Sequence, residues 1–166
     1  MKALTICQPY ASLICLPDDD DRAKRVENRT WSTEHRGPLL IHAGKSRDWL
    51  DNWGGKLPDD MPFGAIIGIA YLDGCVAVER TVEKVFGIVT VRTVIPVLAR
   101  NKWPWLAVHE HLEGPFAWVL RECRAFPIPI KCKGAMGLWT PPPSVQDSVN
   151  AAMAAMSLGR LCGVSK

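Results

Sequence analysis

The chain has no apolar run of the length a membrane-spanning helix needs, which is about 20 residues. It shows no leader-type segment either, so a reducing, cytoplasmic setting is the expectation. None of the six cysteines, at 7, 15, 75, 123, 132 and 162, falls in a C-x-x-C pair, and their spacings do not suggest zinc. Most lie inside apolar runs, where cysteine behaves as a small buried hydrophobe. There is no G-x-G-x-x-G and no Walker sequence, so no nucleotide cofactor is expected, and no bound metal. Charge of one sign is scarcely in excess: 20 Lys and Arg against 17 Asp and Glu give +3, compatible with a polyanion partner without demanding one. Internal repeats are missing too, which excludes a solenoid. What remains is a 166-residue chain, enough for one domain that buries roughly two-thirds of its unfolded surface. Tyr and Phe are few, at 2 and 4, but Trp is plentiful at 7.

Taken in order, Lys2 to Cys7 reads as a core strand, and Gln8-Pro9 ends it. Pro9 suits a first helical turn, where no amide donor is needed. About two turns of helix follow from Tyr10 to Leu16, and Pro17 stops them. Asp18 to Asp21 reads as a solvated loop tip, because consecutive aspartates cannot all point at one ion. Leu39 to Ala43 is a buried strand, with His42 read as a satisfied core histidine. Ser46 then serves as the expected N-cap of a helix carrying Trp49, Leu50 and Trp53. Gly54 to Pro62 reads as a loop and Gly64 to Val78 as a long strand that bends at Gly68 or Gly74. The β-branched stretch Val82 to Val97 reads as strand broken at Gly87, with an edge at Pro96. Asn101 to Glu113 is irregular and contains an exposed aromatic edge at Trp103-Pro104-Trp105. His109-Glu110-His111 is a weak metal signal, since alternate loop residues seldom converge alone. Phe116 to Cys123 is a strand, and Pro127 and Pro129 make a bent extended segment. Ser144 with Asp147 resembles a capping box before a helix from about Val145 to Leu158, apolar at 145, 149, 152, 153 and 156. Strands outnumber helices, and the helices sit at connections. The expected fold is mostly β, in the α+β class: a small, mainly antiparallel sheet closed into a barrel, with a C-terminal helix.

One run organises the rest: Lys24-Arg25-Val26-Glu27-Asn28-Arg29-Thr30-Trp31. Extended backbone puts Glu27 and Arg29 on one face, and Lys24 joins them only if the chain turns or bulges before the strand. Arg29 can fork onto a phosphate or a base edge, and Lys24 supplies a point charge. Glu27 orients the lysine or accepts from a base amino group. Trp31 offers a stacking face. Lys45 and Arg47, at the expected helix N-terminus, add a phosphate contact. The plain alternative is a Glu27–Arg29 salt bridge that braces the fold.

Gln8-Pro-Tyr10-Ala-Ser12-Leu13, the Lys24–Trp31 run and Arg36-Gly-Pro-Leu-Leu-Ile-His42-Ala43 together resemble the ASCH domain family, relatives of the PUA RNA-binding fold. Gly64-Ala-Ile-Ile-Gly68, Gly114-Pro-Phe-Ala-Trp118 and Gly137-Leu138-Trp139 extend the likeness over roughly residues 3 to 141. The resemblance implies a five- or six-stranded PUA-like barrel at residues 1–143, followed by a helical tail at 144–166. It also implies a cleft that carries Lys, Glu and Arg and meets RNA, DNA or a nucleotide. Some members are implicated in nucleic-acid binding, and others act as small hydrolases on RNA or modified nucleosides. The family pattern G-x-K-x-x-E-x-R falls on Lys24, Glu27 and Arg29, with Arg22 where the glycine would be. A Trp is common where Tyr10 stands.

The candidate binding set is therefore Lys24, Glu27, Arg29, Trp31, Lys45, Arg47, Tyr10 and Ser12. The first reading is a reader of RNA or single strands. The second is a hydrolase, with Glu27 as general base and Lys24 as electrostatic stabiliser. Related nucleoside amidohydrolases place a Thr nucleophile three residues after the lysine. Here that place is Glu27, so a Thr mechanism does not carry over. The third reading is an interaction module using the terminal helix. The expected state is a monomer or at most a weak dimer, with no membrane partner.

Overall fold

The computed structural model describes residues 1–50, 53, 61–85 and 88–162. Its first strand, β1 (Lys2–Ile6), comes from the Lys-Ala-Leu-Thr-Ile run, in which Ala3, Leu4 and Ile6 are buried. A short helix, α1 (Tyr10–Ile14), follows Pro9 and turns Ala11 and Ile14 inward. Next come β2 (Val26–Arg29), β3 (Gly37–Ala43) and β4 (Ala65–Ala77). β5 (Glu79–Val85) and β6 (Ile88–Val94) pair as an antiparallel ribbon. Helix α2 (Val97–Lys102) and a 3-10 helix (Pro104–Val108) lead to β7 (Phe116–Lys131), β8 (Leu138–Trp139) and α3 (Pro143–Cys162). Six strands form one sheet in the order β2-β7-β4-β3-β1-β8, and β5-β6 form a second. The chain thus has the expected mostly-β, α+β fold. β1 and β3 run parallel, with Lys2 opposite Leu39 and Ile6 opposite Ala43, whereas β1–β8, β2–β7 and β5–β6 are antiparallel.

Two units share these elements. The first comprises Met1–Ala23, Pro38–Ala70 and Glu122–Lys166. Its core gathers Ala3, Leu40, Ile66, Phe126 and Val149, with Val145, Ala152, Met153 and Met156 of α3 packed against them. The apolar stripe read from the sequence is therefore covered by the chain's own core, and Val149 is fully buried. At Gly68 a side chain would come within 2.3 Å of the Arg124 carbonyl oxygen and 2.6 Å of Cys15 Sγ, so only glycine allows that approach.

The second unit comprises Lys24–Gly37 and Tyr71–Arg121. Val26, Val76, Val78, Ile95, Leu106, Ala117 and Val119 form most of its core. Trp103 packs at the margin of that core and lies over Gly74, where a Cβ would meet its ring at 2.3 Å.

The structure departs from the sequence reading at several connections. No helix starts at Ser46: the Leu50 amide bonds the Arg47 carbonyl and the Trp53 amide bonds that of Leu50, both three-residue turns. The Ser46 hydroxyl does accept from the Asp48 amide, but so short a segment gains too few i→i−4 bonds to offset nucleation. The expected loop from Gly54 to Pro62 and the break at Gly87 fall largely or wholly outside the described residues. Pro96 is no strand edge. It precedes α2, whose Leu, Ala, Arg and Lys are good helix formers and whose Arg100 and Lys102 suit the last turn. Pro127 and Pro129 lie within β7. Ser144 lies inside α3, which opens on Pro143, a residue suited to the first helical position. The amides of Val145 and Gln146 both reach the Pro142 carbonyl, so no capping box forms. α3 runs to Cys162, passing Gly159 at a cost of about 1 kcal/mol.

Candidate functional site

β2 supplies the centre of the site. Its register sets Val26 opposite Val119 and Asn28 opposite Ala117, while Glu27 faces Trp118 and Arg29 faces Phe116. Alternation buries Val26 in the core of the second unit and leaves Glu27 and Arg29 together on the other face. Lys24 stands just before the strand, on irregular backbone, and so escapes the alternation. It reaches Glu27 directly: Lys24 Nζ donates to Glu27 Oε2 at 2.5 Å. Arg29 Nη2 lies 2.9 Å from Glu27 Oε1. One carboxylate is thereby clamped between two cations, one on each oxygen. Lys24 is 3% exposed and Glu27 7%, while the Arg29 side chain keeps 23% of its surface in solvent.

An ion pair this deep is strongly destabilised when one partner is lost, because a charge is left buried and uncompensated. Lys24 and Glu27 form the buried end of the trio, and the Arg29 side chain, with its planar fork of donors, is the member that keeps solvent access. Trp31 meets Trp118 edge-on, with ring centroids 4.6 Å apart at 86°. The Trp118 indole N–H donates to the Trp31 carbonyl at 3.3 Å. Trp118 is wholly buried, and Trp31 remains partly exposed.

Sequence reasoning missed three neighbours of the trio. Asn28 Nδ2 donates to the His111 carbonyl at 2.7 Å, and its Oδ1 accepts from the Glu113 and Gly114 amides. The segment carrying both histidines is thus pinned to β2. The Arg25 amide donates to His109 Nε2 at 3.3 Å, and the His111 amide to His109 Nδ1 at 3.2 Å. A neutral ring can accept at only one of its two nitrogens, so one of these contacts is made as a hydrogen bond, and a protonated ring could make neither. Burial lowers the His109 pKa to about 4, and His111, Lys24 and Arg25 push the same way against Glu110. Burial and then Lys24 lower His111, against Glu110, Glu113 and Glu27. The alternation in His109-Glu110-His111 was the available signal, but it points to this neutral pair. Among the described residues no cluster of three or more His, Cys, Asp or Glu could hold a metal ion.

The remaining candidates belong to the first unit. Tyr10 meets Trp49 and Trp53 edge-on at 6.1 and 5.8 Å. Ser12 gives its amide to Gln8 Oε1 at 3.1 Å, and Gln8, fully buried, donates to the Pro62 carbonyl. Both are thereby tied into local packing. Arg47 lies over the Phe63 ring at 4.2 Å, and Lys45 lines a cavity. Neither has the helix N-terminus expected for it. Of the eight candidates, Lys24, Glu27 and Arg29 are joined by ion pairs.

A small α+β domain with a buried carboxylate gripped by a lysine and an arginine on the end strand of its sheet is the class this geometry defines. The chain belongs to the ASCH domain family, which it matches over residues 4–126. No curated protein matches it. No helix among the described residues is long and apolar enough to cross a membrane.

Proposed function

We propose that the chain binds nucleic acid, in single-stranded or RNA form, or a modified nucleotide, with Arg29 as the contacting cation. Lys24 and Glu27 are the positioning pair, and Trp31 is a stacking surface. The carrying observation is the Glu27 carboxylate held between Lys24 and Arg29 in an ASCH domain, a family with the PUA-like RNA-binding type of fold. An arginine already oriented by a carboxylate loses less rotamer freedom when it binds a phosphate or a guanine edge. Base stacking on an aromatic contributes about 1–3 kcal/mol per base where it is used.

The test is fluorescence anisotropy with labelled single-stranded RNA and DNA across a salt series. Arg29→Ala is expected to weaken binding at least tenfold and to flatten the dependence of affinity on salt by about one phosphate contact. Trp31→Ala weakens it by a smaller factor, without changing the salt slope. Full affinity in Arg29→Ala with the fold intact by circular dichroism would overturn the assignment.

A further inference from the structure

The first unit contains a cavity of about 830 Å³, bounded by Thr5, His42, Lys45, Phe63, Lys131 and Lys133 among others. Small-molecule sites commonly measure roughly 300–1,000 Å³, so a nucleotide fits. Three of its lining residues are lysines and none of the described ones is acidic. Lys131 Nζ gives one hydrogen to the Phe63 carbonyl at 3.1 Å, and an ammonium carries three. Like charges gathered on one concave surface repel one another, and an anion relieves that repulsion.

His42 supplies an independent observation. It is 1% exposed, with Nε2 3.2 Å from the Cys132 carbonyl oxygen, which fixes the hydrogen on Nε2. Trp139 meets the ring edge-on at 5.5 Å and holds it in place. Nδ1 is then a buried acceptor, and it has no hydrogen-bond partner among the described residues. Burial lowers the His42 pKa, the Cys132 bond offsets this in part, and Lys45 lowers it again, so the ring is neutral. The Gly134 backbone covers that nitrogen, a Cβ there lying 2.7 Å from Nδ1, so a donor reaches it only when this backbone moves aside. A buried acceptor without a donor is costly, and such groups in native proteins call for an explanation.

We propose that this cavity is a second site that binds a nucleotide through its phosphomonoester, with Lys45, Lys131 and Lys133 neutralising the phosphate and His42 Nδ1 accepting a hydrogen from the sugar or base. The ligand is thus an anion that also carries a donor. Inorganic phosphate meets the first requirement alone, and a nucleoside only the second. The source is a free mononucleotide or the 5′-phosphorylated end of a strand. This site does not depend on the reading of Arg29.

Isothermal titration of the full chain with AMP, inorganic phosphate and adenosine tests the proposal. AMP is expected to bind at least tenfold tighter than either of the others. The exposed pair Lys131→Ala/Lys133→Ala should cost AMP at least tenfold, with the thermal midpoint unmoved. His42→Gln should weaken AMP binding but leave phosphate binding alone. A 5′-phosphorylated oligonucleotide that outcompetes AMP in the parent chain but not in the lysine variant would identify a strand end as the source, and failure to compete would identify the free nucleotide. AMP binding no tighter than adenosine, or unaffected by the lysine pair, overturns the proposal and leaves the Arg29 reading standing. So does an equal fall in affinity for a 5′-hydroxyl single strand in the lysine variant, because that outcome means one site rather than two.

Discussion

The two units arrange their cations in opposite ways. In the second, Lys24 is buried and Arg29 largely so, and both are paired with one carboxylate. In the first, Lys45, Lys131 and Lys133 are exposed around a cavity whose described lining has no acid. A lysine can be buried when a carboxylate is buried with it, and the pair then becomes part of what holds the fold in register. Lysines without such a partner stay at the surface, contribute little to stability and remain available to an external anion. The same residue type is buried framework in one unit and an exposed cation in the other, and what separates the two is the glutamate buried beside Lys24.

Three changes would break or sharpen this contrast. The largest effect is expected at Glu27. Glu27→Ala leaves Lys24 buried without its partner and should cost about 3–5 kcal/mol, read from the denaturant midpoint. A loss below about 1 kcal/mol would mean that water reaches Lys24 readily and that the trio is not a buried clamp.

The second effect is a pH dependence. The folded pKa of His109 is lowered to about 4 from an ordinary 6.5, so the unfolded chain takes up its proton first. Its contribution to stability is therefore complete above pH 6.5 and is lost as pH falls toward 4. The slope is at most about 1.4 kcal/mol per pH unit. His111 and, in the other unit, His42 are shifted in the same direction and add to that slope. His109→Gln should flatten the curve by its own share only. An unchanged slope between pH 4 and 6.5 would place His109 in solvent.

The smallest effect is expected at the cavity. Lys131→Ala with Lys133→Ala should change stability by no more than about 0.5 kcal/mol, as exposed substitutions usually do. A loss comparable to that of Glu27→Ala would make these lysines part of the framework and erase the contrast.

Much of the fold was legible because it rests on period and punctuation. β1, β3 and β4 follow apolar runs bounded by Pro and Gly, and the apolar stripe of α3 at 145, 149, 152, 153 and 156 is the face that packs inward. Glu27 and Arg29 were placed together by strand alternation alone. Other features depend on distant partners. α2 was hidden behind the β-branched run before it, and Pro96 marks its start only once Ala99 has a core to enter. The Ser46 helix failed although its N-cap signal is present. His42 reads as a satisfied core histidine, but one of its ring nitrogens has no partner among the described residues, and no local pattern reports where a partner is missing.

The amino-acid sequence by itself determined the strand-rich class, the inward face of α3 and the pairing of Glu27 with Arg29, because each depends on spacing along one element. Tertiary structure alone decided that Lys24 is buried on Glu27, that Asn28 pins the segment of His109 and His111, and that Lys45 shares a cavity with Lys131 and Lys133. Burial, desolvation and the convergence of residues some ninety positions apart are properties of packed space, and no periodicity in the chain encodes them.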